Sequence, residues 1–502
     1  MSVTEEGGAR QVQTSSASSR LNTPQAHRNR SRRSRADTGG RGLVLTLLLA
    51  HVPLGLLLLQ GTDVATLHAL VVGGLGIFLA LFGKRALSAA YVAAYAVGAE
   101  VLWRMTEARV FWEAGKYLVV VVLGLAALRF SKGLRGLGLP GVYLLILLPS
   151  TWLTVEALGF SDAARDAISF NLSGPLALAV SVAFFAGRRF SQDQIRILMW
   201  LVVCPLVSVA TITLYSTLTD AAAIQFTEGS NFVTSGGFGP NQVSAVLGLG
   251  ALLCVFLMAQ EPLRALKLVA LGLAVWFLAQ SALTLSRGGL ATAGVALLLG
   301  AIHYVRRSRD QAGFIASVLL IVFVFGYLIL PQLNAFTGDI LRKRFSDVDP
   351  TGRVEIAQSD LRIWSSHALL GVGPGRSAYD RSSVIVEGTA AHTEFTRLVA
   401  EHGIAGLLAI LLLGVMLWRS YKRAPSVPSR AWVVALASWS LVDMSHSAMR
   451  LVAISFIFGL MTVDSRPRLR GEKPRKREPG RSPLEPVAGP IGARIALGQN
   501  RP

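Results

Sequence analysis

Three residues in this chain carry side chains whose positions demand a chemical explanation. Arg287, in Ser286-Arg287-Gly288-Gly289, interrupts two apolar runs that otherwise nearly join. A charge at that depth costs at least about 2.5 kcal/mol on insertion scales unless it faces a cavity or a partner. Either it snorkels to the outer interface, or it binds an anion that the flanking glycines allow to approach the backbone. Arg353 follows Gly352 in what reads as the first turn of a helix. Free amides and the positive helix end favour an anion there, and a guanidinium adds bidentate geometry suited to phosphate. Together the two arginines suggest a pyrophosphate. His392, in Ala391-His392-Thr393-Glu394-Phe395, is of the residue type whose ordinary pKa lies closest to that of a general base at neutral pH. The plainer alternative is a helix cap or a hydrogen-bonded interfacial residue. Glu394, and Glu387 upstream, are candidates to orient the imidazole or to supply carboxylates.

Weaker signals surround these. Gly371-Val-Gly373-Pro-Gly375 resembles a dinucleotide fingerprint only superficially, because the strand before it and the helix at the required spacing are missing. It reads as a tight turn that re-aims the chain, or as Gly373 and Gly375 amides cradling a phosphate. Asn241, in Gly239-Pro240-Asn241, is a candidate substrate contact at the outer end of another run, the alternative being an ordinary proline helix start. Arg342-Lys343-Arg344 suits lipid headgroups, or adds to the anion-binding field. Among the other histidines His27 is in the N-terminal tail, His51 and His68 lie in early spans, and His303 and His367 lack convergent polar neighbours; His402 and His446 stay open as candidates. No metal-ligand spacing, nucleotide P-loop or Ser/His/Asp arrangement stands out, and Cys204 and Cys254 lie inside apolar runs as small hydrophobes. With no metal and no cofactor expected, the chemistry must use a substrate that is already activated, or a gradient.

The elements that position these residues are membrane helices. At 16% charged and 52% hydrophobic over 502 residues, the composition lies far from the roughly 25% charged of ordinary soluble domains. Much of the net charge of +20 is terminal: residues 1–42 hold eight Arg and three acids, and residues 466–502 hold ten Lys/Arg and three acids. Both stretches read as disordered cytoplasmic tails attracted to anionic lipid, and not as nucleic-acid binders. Between them, 43–465 reads as a polytopic all-α membrane domain. Apolar runs recur at about 43–60, 65–82, 86–103, 116–129, 138–158, 172–187, 195–216, 241–259, 267–285, 288–304, 313–330, 403–418, 431–447 and 451–464. Several are short, which gives about 12–14 spans. The first is read as an uncleaved helix. With the N-terminus inside, 35 of the 49 Lys and Arg fall on the cytoplasmic side, so both termini are expected there. One long polar interruption, 331–397, is then outside, and a loop of that length is usually functional. Within it Asp349-Pro350-Thr351 is a helix-start signal, and Leu361, Trp364 and Ala368 recur at helical spacing. These predict an amphipathic helix over about 351–368, lying on the membrane surface.

Taken in order, Thr351-Gly-Arg353-Val-Glu-Ile, Ala368-Leu-Leu-Gly371-Val-Gly-Pro-Gly375 and Ala391-His392-Thr-Glu-Phe, continued by Leu398-Val-Ala-Glu401-His-Gly403-Ile-Ala-Gly406-Leu, resemble the signature region of the O-antigen ligase and O-antigen polymerase superfamily. Ser286-Arg287-Gly288 resembles the Ser-Arg-Gly element of that family. The resemblance implies a GT-C type glycosyltransferase in the bacterial plasma (inner) membrane, with a glycan donor on undecaprenyl pyrophosphate and a glycan, lipid or protein acceptor. It further implies that Arg287 and Arg353 bind the pyrophosphate and that His392 activates or positions the acceptor hydroxyl. Thr393, where family members often have Asn, and His402, where an apolar residue is common, depart from the pattern. Ligase and polymerase are not separated by these motifs. The competing class is a transporter of polyprenyl-linked glycans, whose intramembrane charges would line a pathway; the concentration of polar groups on one face disfavours it.

Overall fold

The computed structural model describes residues 42, 44–130, 137–304, 310–347, 353–381 and 392–465. Both basic tails, Asp349-Pro350-Thr351, Glu387 and most of the stretch before His392 lie outside the described residues. In chain order the helices are α1 (Val44–Leu58), α2 (Thr62–Phe82), α3 (Ala86–Met105), α4 (Ala114–Phe130), α5 (Gly138–Leu145), α6 (Thr151–Leu158), α7 (Asp162–Phe185) and α8 (Gln192–Thr219). There follow α9 (Pro240–Gln260), α10 (Arg264–Leu283), α11 (Arg287–Tyr304), α12 (Asp310–Phe323) and, beyond a π-helical turn at Val324–Ile329, α13 (Leu330–Phe336). The polar segment carries α14 (Ile340–Ser346), α15 (Arg353–Ser366), α16 (Ser377–Asp380) and α17 (Glu394–His402). The chain then returns to the bundle through α18 (Ile404–Arg423), α19 (Val427–Ser447) and α20 (Val452–Leu460).

The protein is a polytopic helical membrane protein. Among the described residues, eight helices are long and apolar enough to cross a bilayer alone. The remaining apolar runs are shorter or interrupted. Pro149 splits the run at 138–158 into α5 and α6, as expected of a residue that lacks the N–H a helix interior needs. At the other extreme Pro331 does not end its helix. It falls in the first turn of α13, where its missing N–H costs nothing, so the helix continues to Phe336 and the polar segment begins later than the sequence suggests.

Helices in lipid gain little from burying apolar surface against one another, so close approach at small residues becomes the packing device. Gly98 of α3 faces the Val202 carbonyl of α8, and a Cβ there would lie 2.2 Å from it. Gly289 of α11 faces the Ser244 carbonyl of α9 at a corresponding 2.0 Å, and Gly248 meets Gly289 at 2.4 Å. These contacts bring the starts of α9 and α11 together, and Arg287 with them. α15 forms within the expected range. Ile356, Ser359, Asp360 and Ile363 are inward, whereas Leu361 is exposed. Asp360 is drawn inward by a buried partner that no local pattern reveals.

Candidate functional site

The site is assembled where α9 and α11 start, α3 and α19 end, and the polar segment folds over them. Its foundation is a continuous network of buried charges. Arg397 of α17 donates to Glu394 (2.6 and 3.0 Å) and to Glu401 (2.6 Å), and also reaches Asn171 of α7. Glu401 accepts from the Gly375 amide (2.9 Å) and the Ser377 hydroxyl (3.0 Å). Arg381 donates to Ser377 and to Asp360, each at 2.8 Å, and Thr396 donates to the other Asp360 oxygen. Burial would lower the Arg397 pKa, but the two glutamates outweigh it and push it up. Burial holds the Asp360 and Glu401 carboxyls above their ordinary range despite their arginines.

This network fixes the turn at Gly371–Gly375. All three glycines have positive φ, and a Cβ at Gly373 would sit 2.6 Å from the Thr154 hydroxyl. Their amides are engaged within the protein: Gly373 donates to the Glu401 carbonyl and Gly375 to its carboxylate. Glu394 likewise turns to Arg397 and to the Met449 amide (3.3 Å), away from any role on the imidazole. His402, fully buried, bonds to the Ser150 hydroxyl at the α5–α6 break, and burial ahead of the Arg397 charge lowers its pKa to about 3.

His392 is only partly buried, and among the described residues nothing hydrogen-bonds its ring. Its carbonyl accepts from the Ala448 amide (3.1 Å), which seats it against the link between α19 and α20. Burial and then the charges of Arg450, Arg353 and Arg381 lower its pKa to about 4. Arg353, at the start of α15, is itself pushed down by burial and by Arg287 and Arg344. Arg450 is lowered by burial, Arg353 and Arg397. The two sequence candidates Arg287 and Arg353 are therefore brought together, with Arg344, while Arg353, Arg381 and Arg450 act on His392. Arg287 donates to the Asp347 carbonyl and lies 3.8 Å from its carboxylate, while Arg344 donates to the Leu285 carbonyl (3.4 Å), so α14 is latched over the α10–α11 turn. Asn241 accepts from Ser286 (2.7 Å), which steadies the residue before Arg287.

Sequence reasoning missed Arg450, although it interrupts two apolar runs just as Arg287 does. It left His446 open, and His446 proves to line the same place: its ring packs on Gly288, 2.7 Å from a Cβ built there, bonds Thr292 (2.7 Å) and lies 3.6 Å from Asp443. The glycines after Arg287 thus admit a protein ring and a protein backbone. Arg104 of α3 stacks on Trp112 at 4.6 Å and donates to Glu100 (2.9 Å), Gln242 (2.7 Å) and the Arg450 carbonyl (3.3 Å).

No curated protein matches the chain. Residues 273–411 match the family model described as O-antigen ligase, a stretch that begins in α10, ends in α18 and holds Arg287, Arg344, Arg353 and His392. Over that stretch the chain is similar to the O-antigen ligase family.

Proposed function

We propose that the protein transfers or polymerises a glycan, taking it from a donor on undecaprenyl pyrophosphate at the outer face of the plasma membrane and joining it to an acceptor hydroxyl. The family match over 273–411 supports glycan ligation or polymerisation in general. The observation that carries the finer reading is that Arg353 and Arg450 act on a partly buried histidine while Arg287 and Arg344 in turn act on Arg353. Like charges held together store unfavourable energy that a polyanionic ligand relieves. A pyrophosphate is such a ligand, and guanidiniums match its oxygens two at a time.

In this reading the acceptor oxygen attacks the anomeric carbon opposite the pyrophosphate. The carbon–oxygen bond to phosphate breaks, and its electron pair leaves as phosphate charge that the arginines stabilise. The acceptor proton passes to His392. Configuration inverts, and the charge stabilisation a metal could supply comes from the arginines. Asn241, Gly373, Gly375 and Glu394 serve by placing these groups.

The test is a deletion strain complemented with wild type or His392→Ala. Shortened chains in the deletion mean polymerase, and unattached lipid-linked polymer means ligase; full complementation by His392→Ala removes the histidine from the chemistry. A cysteine in place of exposed Ser365, read with an impermeant reagent, tests the sidedness: labelling only after lysis would place the site inside the cell.

A further inference from the structure

A cavity of about 410 Å³ lies between α4, α7, α16, α17 and the link 448–450. That volume falls within the range of small-molecule sites, about 300–1,000 Å³. Lys116 of α4 lines it and is 1% exposed. Its ammonium donates to the Ser173 hydroxyl at 3.2 Å and lies 5.7 Å from the Phe170 ring. An ammonium has three donors, and among the described residues no carboxylate pairs with this one. A buried charge held by one neutral hydroxyl is costly, and an arriving anion removes the cost. Of the other charges at the wall, Arg397 is matched by Glu394 and Glu401, Arg381 by Asp360 and Asp166 by Arg165, while Arg450 adds a second cation.

The cavity also touches the reaction centre from one side. Arg450 lines it and acts on both His392 and Arg353, whereas Arg287, Arg344 and Arg353 lie outside its lining. In-line attack requires acceptor and leaving group on opposite sides of the reacting carbon. The 448–450 link, whose Ala448 amide holds the His392 carbonyl, forms the wall of this cavity on the side of His392. Phe170 and Tyr379 are the aromatic residues of the cavity lining.

We propose that this cavity is the acceptor subsite and that Lys116 selects an acceptor sugar bearing an anionic group, carboxylate or phosphate. The proposal rests on the glycan-transfer reading. The full chain in lipid nanodiscs is titrated, by ligand-observed NMR, with galacturonic acid, galactose 6-phosphate and galactose as probes. Wild type should bind at least one anionic sugar about tenfold tighter than galactose, the worth of a charge-assisted hydrogen bond; which one binds separates carboxylate from phosphate. Lys116→Met should abolish the preference, and Lys116→Arg should keep it. Equal binding of all three probes by wild type overturns the proposal whether or not Lys116→Met folds, and so does a preference that survives in folded Lys116→Met. His392→Ala separates the two readings. A preference retained alongside normal transfer by that variant defeats the His392 mechanism and leaves the subsite standing, whereas transfer that needs His392 with no anionic preference defeats the subsite alone.

Discussion

Arg397 and Arg353 lie at the same end of the protein and are both withdrawn from water, yet their pKa values move in opposite directions. Burial lowers both. At Arg397 two glutamates reverse the effect, while at Arg353 the neighbouring charges, Arg287 and Arg344, deepen it. The first arrangement is complete without a ligand and serves as scaffold. In the second, under the proposed function, an entering anion would offset the mutual repulsion of the arginines. The contrast is between a closed ion-pair network and a group of like charges.

The largest effect tests the centre of the second arrangement. His392→Ala should lower turnover by about 10²–10⁴-fold, the usual contribution of a positioned base. Its melting temperature should stay near wild type, because the ring makes no hydrogen bond among the described residues. A purified enzyme assayed beside a thermal melt gives both numbers, and full activity would leave the arginine cluster without a reaction to serve.

The next effect sets the two arrangements against each other. Arg397→Met leaves two buried glutamates unpaired and should cost about 3–5 kcal/mol of stability, the penalty for breaking a buried ion pair from one side. Arg353→Met relieves repulsion, so the fold should be retained or slightly stabilised, while kcat/KM falls by about 10²–10³-fold as a charge-stabilising donor is lost. Arg353→Lys should restore only part of that loss, since a point charge lacks the guanidinium fork. Equal destabilisation by the two Met variants, in denaturant or heat, would erase the distinction.

Much of this was legible in the sequence, for a definite reason. Apolar runs and breaks encode membrane helices locally, so the helical architecture and the long polar segment followed from composition and spacing. Arg287, Arg353 and His392 stood out because each is costly or reactive where it lies. The scaffold was not legible. The Asp360–Arg381 pair and the reach of Arg397 to Asn171 join residues far apart in the chain, and nothing local distinguishes Asp360 from a solvated carboxylate. The same gap hid the inward face of α15, where a paired aspartate is buried. Arg450 was different: its signal was present, a lone cation between two apolar runs.

Chelation serves as a control, with no change expected: in the proposed mechanism arginines carry the leaving-group charge, so rates after EDTA treatment should match untreated enzyme. Activity lost to chelator and restored by Mg²⁺ or Mn²⁺ would replace the arginine mechanism with a metal-assisted one.

The smallest effect is the most diagnostic of the cluster's field. His392 has a pKa lowered to about 4 by burial and by Arg450, Arg353 and Arg381, against an ordinary value near 6.5. Because the cause disfavours imidazolium, the neutral base persists in the free enzyme well below pH 6.5, and kcat/KM should fall only as pH drops through about 4. A bound pyrophosphate cancels part of the positive field and favours imidazolium, so the acid limb of kcat should lie at higher pH than that of kcat/KM. Donor binding would thereby strengthen the base that uses it. Arg450→Met removes the first of the charges acting on His392 and should move the kcat/KM limb upward by up to about one unit, equivalent to about 1.4 kcal/mol. Lys343→Met, exposed and not among those charges, should leave it in place. A wild-type limb already at 6.5, or one that Arg450→Met does not move, would show that the arginines near His392 exert no field on it, and the contrast with the paired network would then rest on stability alone.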